Sequence, residues 1–372
     1  MIDMSYTETP SFFDLTPDEL QAWLKERGEP SFAAKQILEW LYRHQVDSID
    51  AMSNVSKKLR ATLAERFTLA TPTVLETQED PADGTEKTLF QLGDGECVET
   101  VVMPRFSEAE TDAQSGNVKG FEKDKVKEYT ICVSTQVGCM FACRFCASGQ
   151  MGYTRDLSAG EIIAQLMAFL HAGKNVTRMV FMGMGEPLHN LAHVKKVIDI
   201  LSHPKALGWS KRRFTISTVG LVPEIYRMAQ EEWKVKLAIS LHATTDAKRA
   251  ELIPMAKVYQ LDQLFDALRF YHRRDGRRIS LEYLMIDGFN DAKKDAQRLA
   301  SLCEGMKMHI NLIPCNAIPR MDFKPSQPRT IREFRGLLRK EGIDATVRYS
   351  RGRHIEGACG QLRLRERAER RS

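Results

Sequence analysis

The sequence lacks any long hydrophobic run. Its most apolar stretches, such as residues 180–184 and 237–241, are interrupted by glycine, serine or charge well short of the ~20 residues that a transmembrane helix needs. Residues 1–13 also lack the basic start and the apolar segment of a secretory signal peptide. We therefore expect a cytoplasmic protein that does not associate with a membrane.

The chain also has few cysteines and little excess of either charge. Its 372 residues include 54 Lys and Arg against 49 Asp and Glu, which gives a net charge of +5. Such a weakly basic balance is compatible with RNA binding but does not require it. In a reducing compartment, the eight cysteines are expected to be metal ligands, catalysts or buried side chains and not structural disulfides.

The order of predicted elements indicates an α/β fold with accessory parts. Residues 1–70 contain three short amphipathic helices, which we assign to an N-terminal helical accessory domain that must pack on something larger. Residues 71–127 are predicted to form a β-hairpin extension, which ends in a charged, exposed loop over residues 105–127.

Strands and helices alternate from residue 128 to residue 362, and a basic tail occupies residues 363–372. Repeated strand–helix units predict a parallel sheet or barrel, and their number suits a partial (βα)6 barrel. In barrels of this kind, reactive residues gather at the C-terminal ends of the strands. The predicted strands are residues 129–136, 178–182, 213–218, 235–241, 278–286, 308–313 and 346–350.

Three cysteines directly after the first barrel strand give the strongest chemical signal. Cys139, Cys143 and Cys146 are spaced CxxxCxxC, so their thiols can converge on one metal centre from a single loop. A structural zinc site would need four ligands, and no second CxxC or His pair follows. An iron–sulfur cluster can be held by three thiolates, which leaves its fourth iron open. The cluster is therefore favoured, and a zinc-stabilised RNA-binding protein without catalysis is the alternative.

The cysteine loop resembles that of the radical S-adenosylmethionine (SAM) enzymes, and Phe145 stands where that superfamily has an aromatic residue. Five motifs then resemble one group within it, the RlmN/Cfr family of RNA adenine methyltransferases. The resemblance covers residues 98–362, and the N-terminal helices are also similar. The motifs are Val133-Ser-Thr-Gln-Val-Gly-Cys139, Met182-Gly-Met-Gly-Glu-Pro-Leu188, Ser240-Leu-His242, Asn311-Leu-Ile-Pro314 and Ala358-Cys-Gly-Gln-Leu362.

The resemblance implies a radical SAM barrel with one [4Fe-4S] cluster on the three cysteines and two SAM molecules used per turnover. Gly185 and Glu186 would hold the methionine end of SAM, since glycine allows close approach of a ligand and a carboxylate can accept from its amino group. Further cofactor contacts are implied at later strand ends, although each residue alone is more typical of a turn or cap. They are Ser217, Ser240, Leu241, His242 and Asn316.

Three residues outside the cluster motif match the family's catalytic positions. Cys359 matches the cysteine that is methylated by a first SAM molecule. A second SAM molecule would give a 5′-deoxyadenosyl radical, which abstracts hydrogen from that methyl group so that its carbon adds to adenine. Glu99 matches the proposed proton acceptor, and Cys132 matches the cysteine that attacks Cys359 and releases methylated RNA with a disulfide.

These assignments have simpler alternatives. A single cysteine is by default a buried structural thiol, which we expect for Cys97, Cys303 and Cys315. Glu99 lies on a predicted strand, where its neighbours point to the opposite face, so it could be a solvent-facing carboxylate.

The resemblance also implies which carbon is methylated and which partners bind. Pro187 and the Gly149-Gln-Met-Gly152 segment are similar to the carbon-2 branch, RlmN, and Cfr-like carbon-8 methylation of the same rRNA adenosine is the alternative. The implied substrates are an adenosine in the peptidyl transferase centre of 23S rRNA and one beside the tRNA anticodon. Such a base must leave its stack to enter a barrel. The implied enzyme is a monomer that takes electrons from a donor such as flavodoxin or ferredoxin.

Basic segments are expected to contact the RNA phosphates, and such binding should weaken steeply with salt. These candidates are Lys211-Arg212-Arg213, Arg273-Arg274, Arg277-Arg278, Arg351, Arg353 and residues 363–371.

Overall fold

The structure is a computed structural model that describes residues 9–106, 110, 118, 121–315, 323–349, 352 and 355. Its strands are β1 (Thr73–Glu79), β2 (Glu86–Gln91), β3 (Cys97–Pro104), β4 (Tyr129–Cys132), β5 (Gln136–Gly138), β6 (Tyr153–Asp156), β7 (Val176–Phe181), β8 (Phe214–Thr218), β9 (Lys236–Ser240), β10 (Ile279–Met285), β11 (Met308–Pro314) and β12 (Asp344–Val347). Its α-helices are α1 (Pro17–Glu26), α2 (Ala33–Tyr42), α3 (Lys57–Arg66), α4 (Ala147–Gln150), α5 (Ala159–His171), α6 (Leu191–Ser202), α7 (Val222–Gln230), α8 (Asp246–Leu252), α9 (Leu261–Asp275), α10 (Lys293–Leu302) and α11 (Pro328–Lys340). None of these helices, which all lie in the described ranges, has the length and hydropathy to cross a bilayer.

One sheet combines an antiparallel extension with a parallel barrel wall. Its strand order is β1-β2-β3-β4-β7-β8-β9-β10-β11-β12. The strands from β1 to β4 pair antiparallel. Every pair from β4 to β12 is parallel. Helices cross over between successive parallel strands, so the predicted partial barrel with a β-hairpin extension is confirmed.

The barrel wall has one apolar face and one polar face. Ile131, Met179 and Ile216 are fully buried in the main core, which they share with the helices. The side chains of Ser217 and Ser240 lie on the opposite face of the sheet, away from the helices, and are half-buried. This polar face lines the lumen of the partial barrel. The lumen has two open ends: the N-terminal mouth, where the parallel strands begin, and the C-terminal mouth, where they end.

The N-terminal helices share a core with the barrel. Phe12 and Phe13 belong to the same apolar cluster as side chains of α5 and α6. At this contact, the Asp14 carboxylate accepts hydrogen bonds from the Gly160 N–H at 2.6 Å and from the Ser158 hydroxyl at 3.0 Å. Asp14 therefore caps the first turn of α5 from outside the barrel. Helices this short bury little surface alone, and their docking agrees with the sequence expectation.

Local predictions differ from the structure at the first barrel strand. The predicted strand over residues 129–136 is broken, because β4 ends at Cys132 and Gln136 begins β5, which pairs with β6 outside the main sheet. The Val133 N–H still donates to the Val180 carbonyl of β7 at 3.0 Å. Residues 134–136 then bind the turn after β7: for example, the Thr135 N–H donates to the Met184 carbonyl at 2.8 Å. The β5–β6 hairpin and α8 are not predicted, because each is too short to show a clear periodicity.

Candidate active site

The CxxxCxxC loop lies at the C-terminal mouth of the barrel, in an apolar cluster separate from the main core. Cys143 is buried in this cluster, and Cys139 and Cys146 pack against it. The β5–β6 hairpin brackets the loop on one side. On another side, the Arg144 N–H donates to the Leu252 carbonyl at the end of α8 at 3.0 Å. The loop is therefore supported by the barrel and does not project into solvent.

Burial makes two of these thiols, those of Cys139 and Cys143, weaker acids. It raises the pKa of Cys139 to about 12, and the nearby Cys146 sulfur adds to the shift. Burial also raises the pKa of Cys143, again with contributions from its two neighbours. The thiolate is the form that binds a metal, so metal binding at this loop must release protons.

The donor set fits an iron–sulfur cluster. Within the described ranges, no three His, Cys, Asp or Glu side chains converge as they would on one metal ion. A cube-shaped cluster does not need that convergence, because each thiolate binds a different iron. The buried Arg249 guanidinium acts electrostatically on Cys143, and its Nε has no hydrogen-bond partner in the described part of the chain. A buried cation in such a position favours an anionic group beside it.

Glu186 follows β7 and is buried beside the cysteine loop. Its Oε2 accepts from the Val219 N–H at 2.9 Å, and its Oε1 accepts from the Leu188 N–H at 3.1 Å. Burial nevertheless raises the pKa of this carboxyl to about 7, because lost hydration outweighs the hydrogen bonds. Its charge also acts on Cys139 and Cys143. A carboxylate in this place can accept from the amino group of a ligand bound at the loop.

The glycines of the same segment let two stretches of backbone pack closely. Gly185 has a φ of +105°, a conformation that other residues rarely adopt. A Cβ at Gly183 would lie 2.6 Å from the Val133 carbonyl oxygen, and one at Gly185 would lie 2.7 Å from the Thr135 hydroxyl. The turn after β7 therefore fits against residues 133–136 only when both positions are glycine.

Ser134 connects that turn to the hairpin extension. Its hydroxyl donates to the Glu99 carbonyl at 2.6 Å and accepts from the Met184 N–H at 3.0 Å. The Ser134 side chain is completely buried. The main chain at Glu99 is thereby fixed relative to the turn that carries Glu186.

Gln136 connects the same turn to the cysteine loop. Its side-chain oxygen accepts from the Met140 N–H at 3.2 Å and from the Glu186 N–H at 3.0 Å. Its amide nitrogen donates to the Asp156 carboxylate at 2.7 Å, which anchors the amide to β6. One buried side chain thus sets the distance between Glu186 and the start of the cysteine loop.

Cys132 and Glu99 lie on one face of neighbouring strands. Cys132 pairs with Val101 across β3 and β4, and Glu99 stands two residues before Val101 on the same face. Glu99 is 2% exposed, so its interpretation as a solvent-facing carboxylate is wrong. Its Oε2 lies 3.0 Å from the Nζ of Lys87, which is also buried. A carboxylate inside a sheet needs such a cation.

The predicted cofactor contacts on β8 and β9 lie at the C-terminal mouth. Ser217 and Ser240 share the lumen face with Cys132, because β4, β7, β8 and β9 pair in continuous register. The Leu241 side chain is buried in the main core, and its carbonyl already accepts from the Ala243 N–H at 2.8 Å. A ligand contact by the Leu241 carbonyl therefore has to use its second lone pair.

His242 is a buried ring at the edge of the loop. It adopts a φ of +57° and packs edge-on against Phe145, with ring centroids 4.4 Å apart. Its Nδ1 accepts from the Leu284 N–H at 3.0 Å. Burial, followed by the charge of Arg249, lowers the pKa of His242 to about 3. The ring is therefore neutral at physiological pH.

Two predicted residues, Asn316 and Cys359, lie outside the described residues, as do Arg351, Arg353 and the basic tail. The expected buried thiols Cys97, Cys303 and Cys315 are all buried.

Three residues of this region are not found from the sequence. Gln136 stands inside the quoted Val133–Cys139 motif, so the motif itself could have indicated it. Lys87 would have followed from strand alternation once the register of β2 against β3 was known. Arg249 carries no signal, because an arginine on a short helix is normally exposed.

Known proteins share both parts of this architecture. The family model described as the ribosomal RNA large subunit methyltransferase N-terminal domain matches residues 11–69, and the radical SAM superfamily model matches residues 133–300. A Clostridium perfringens protein named probable dual-specificity RNA methyltransferase RlmN is 41% identical over 354 residues, which are 95% of this chain and 96% of that relative. A Bacillus cytotoxicus protein of the same name is 40% identical over 367 residues, 98% and 96% of the two chains.

This chain belongs to the RlmN family of radical SAM RNA methyltransferases. The crystal structure of a radical SAM methyltransferase from Sphaerobacter thermophilus agrees, with a TM-score of 0.84 and 42% identity over 95% of this chain and 98% of that one. The resemblance seen in the motifs is confirmed. Radical SAM enzymes as a class use SAM and a [4Fe-4S] cluster.

Replacing Glu186 with glutamine tests the buried carboxyl directly. Folding raises its pKa from 4.5 to about 7, so the folded state keeps a proton that the unfolded state loses between these pH values. The free energy of unfolding of the wild type should therefore fall, relative to that of Glu186→Gln, by about 1.4 kcal/mol per pH unit across this window. The difference should level off above neutral pH. Urea unfolding of both cluster-free proteins at several pH values measures it.

The exposed Glu304 provides the matched control. Glu304→Gln makes the same chemical change at an exposed position. If the Glu186→Gln difference depended on pH no more than the Glu304→Gln difference, Glu186 would not be buried as the structure has it.

Proposed function

We propose that this chain methylates carbon 2 of a specific adenosine in the peptidyl transferase centre of 23S rRNA, and of an adenosine beside the tRNA anticodon. The main support is the placement of Cys132, Glu99 and Glu186 around one lumen whose mouth carries the CxxxCxxC loop. The relatives' name, dual-specificity RNA methyltransferase, supports more than one RNA substrate. Pro187 supports carbon 2.

The C-terminal mouth would hold the cofactors. Cys139, Cys143 and Cys146 would bind one [4Fe-4S] cluster, and Gly185 with Glu186 would bind the amino end of SAM. When bound, these cofactors supply a carbon radical that abstracts hydrogen, with two SAM molecules used per turnover. The remaining SAM contacts would be made by Ser217, Ser240, Leu241, His242 and Asn316.

The chain's own groups would carry the methyl group, take the proton and release the product. The Cys359 sulfur receives a methyl group by displacement, and the carbon of that group later bonds to the adenine ring. Glu99 takes the proton that leaves the ring, while Lys87 holds the carboxylate in place at 3.0 Å. The Cys132 thiolate would then attack the Cys359 sulfur. An S–S bond forms as the S–C bond breaks, the electron pair of the broken bond goes to the carbon attached to adenine, and a proton added there completes the methyl group. Reduction of the disulfide would reset the enzyme, and a donor such as flavodoxin or ferredoxin is the expected electron-transfer partner.

The described end of the C-terminal segment approaches this group of residues. The Gly352 N–H donates to the Asp83 carboxylate at 3.4 Å, in the turn between β1 and β2. Lys87 lies on β2, shortly after that turn. Three residues lie between Ile355 and Cys359, so a fully extended chain from one to the other spans about 14 Å at most.

Nucleoside mass spectrometry tests the methylated carbon and the substrates. We expect deletion of the gene to remove 2-methyladenosine from both 23S rRNA and tRNA, and re-expression of the wild type, but not of Cys359→Ala, to restore it. Loss from rRNA alone would contradict the second substrate. Loss of 8-methyladenosine instead would contradict carbon 2 and support the Cfr-like alternative.

A covalent adduct tests the roles of the two catalytic cysteines. With Cys132→Ala, the bond between Cys359 and the RNA cannot be resolved, so protein and RNA should migrate together on denaturing gels. The double variant Cys132→Ala/Cys359→Ala should show no such band. Cys303→Ala removes a buried thiol far along the chain and should also show none. If Cys132→Ala turned over without an adduct, the resolving role would be wrong.

Basic residues surround the N-terminal mouth of the lumen and would receive the RNA backbone. Lys236 begins β9 and Arg178 lies near the start of β7. Burial and the charges of neighbouring arginines lower the pKa of both groups. Arg178 stands two residues before Val180, the partner of Cys132, which is about 7 Å along the strand. A base near Cys132 would therefore keep its own phosphate within reach of Arg178.

Salt dependence tests this surface. Each phosphate contact that is lost lowers the slope of log Kd against log salt concentration by roughly 1, so Arg178→Gln/Lys236→Gln should lower it by about 1 to 2. The matched control is Lys293→Gln/Lys294→Gln, which removes the same charge from an exposed part of α10. Binding of an rRNA fragment to the full chain over a range of KCl concentrations gives both slopes. Equal slopes for the two double variants would contradict the proposed entry side.

A further inference from the structure

Among the described residues, Arg249 is the largest side chain that is almost completely buried, at 1% exposure. It lies on α8, whose end is hydrogen-bonded to the cysteine loop. One of its terminal nitrogens donates to the Val219 carbonyl, while its Nε–H has no partner among the described residues. Burying a guanidinium with an unused donor lowers the stability of the fold unless a negative charge lies beside it.

The guanidinium end of Arg249 lies at the apolar cluster that holds the cysteine loop. The Val219 carbonyl accepts from it, and both Val219 and Leu252, at the end of α8, belong to the same cluster as Cys143. The Asp246 carboxylate on α8 is already occupied, since it accepts from the Leu261 N–H at 2.7 Å. Burial lowers the pKa of Arg249 to about 10, because a buried cation has lost its hydration.

The helix that carries Arg249 is fixed on both sides. The Leu252 carbonyl at its end accepts from the Arg144 N–H of the cysteine loop at 3.0 Å. On the other side, Lys248 is 2.9 Å from the fully buried carboxylate of Asp295 on α10. The helix is therefore held against the cysteine loop, and its Arg249 side chain is buried with the guanidinium on the Val219 carbonyl.

Other charges near the loop do not replace that of Arg249. His242 is neutral at physiological pH, since burial lowers its pKa to about 3. Arg144 lies within the loop but is exposed, so water screens it. Glu186, the buried carboxylate nearby, has the opposite sign.

We propose that Arg249 is the buried counter-cation of the cysteine loop, whose charge offsets the thiolates of a bound cluster and raises the reduction potential of that cluster. Reduction adds an electron to a group that is already negative. A fixed cation in water-excluded surroundings stabilises the reduced form more than the oxidised one. This role requires the cluster of the proposed function on Cys139, Cys143 and Cys146, but it does not depend on which RNA carbon is methylated.

Redox titration of the reconstituted holoenzyme, without SAM or RNA, measures the effect. The reduced cluster is followed by electron paramagnetic resonance in the wild type, Arg249→Gln and Arg249→Lys. We expect Arg249→Gln to lower the ratio of reduced to oxidised cluster about tenfold at a fixed potential, which is about 59 mV for a one-electron couple. Arg249→Lys keeps the charge and should shift the ratio much less.

The control is Arg144→Gln, which removes the same charge from the loop itself but at an exposed position. Its shift should be much smaller than that of Arg249→Gln, because solvent screens the exposed charge. An unchanged potential in Arg249→Gln at full iron content would overturn the proposal. So would an equal shift in Arg144→Gln. An Arg249→Gln enzyme that differed only in SAM affinity would show that Arg249 binds the cofactor instead.

If Arg249→Gln binds little iron, the iron content of Arg249→Lys tests the proposal instead. Iron content should then be restored in Arg249→Lys, and equal loss in both variants would overturn the charge argument. The melting temperature adds a further readout, since loading the cluster should raise the Tm of the wild type more than that of Arg249→Gln. A purely packing role would lower the Tm of loaded and empty protein equally. Failure of the wild type itself to bind iron would instead contradict the proposed function.

Discussion

The short segment from Val133 to Gln136 is the constraint on which the rest of the site depends. It leaves β4 and crosses the end of β7, where its backbone and side chains bind the turn that carries Glu186. Because that turn approaches so closely, two of its residues must be glycine. The same segment fixes Glu99 on one side and the cysteine loop on the other. The interruption of the first barrel strand thus brings Glu99, Glu186 and the cysteine loop together at the C-terminal mouth.

The two mouths of the barrel have opposite electrostatic character. The C-terminal mouth collects thiols and the buried carboxyl of Glu186, which suit a metal cluster and an amino group. The N-terminal mouth collects cations, among them Arg178 and Lys236, whose like charges disfavour one another. The lumen between them is polar and is lined by residues such as Ser217 and Cys132. A nucleotide with its phosphates at one mouth and its base directed towards the other would match both charges.

The sequence predicts the repeated elements well, because periodic apolar patterns and capping residues are local properties. Strands β8 and β11 are examples: they are predicted over residues 213–218 and 308–313, and they lie at Phe214–Thr218 and Met308–Pro314. The motifs also identify the cysteine loop and Glu186. Contacts between segments that are far apart in the sequence are not predicted in this way. The Lys87–Glu99 pair depends on the register of β2 against β3, and the burial of Arg249 depends on where α8 packs. Neither the pair nor this burial can be predicted from the local sequence pattern.

Within the described residues, some buried charges are paired with an opposite charge and others are not. A paired example lies inside the sheet, and unpaired ones lie beside the cysteine loop. Glu99 is paired with Lys87 inside the sheet. Glu186 and Arg249, which both border the cysteine loop, have pKa values shifted towards their neutral forms by burial, and Arg249 keeps an unused donor within the described chain. Ionisable groups left in this condition lower the stability of the empty protein. An anionic cluster and a ligand with an amino group would supply the missing partners. Because such partners would bind only the folded chain, we expect loading to raise the stability of the fold.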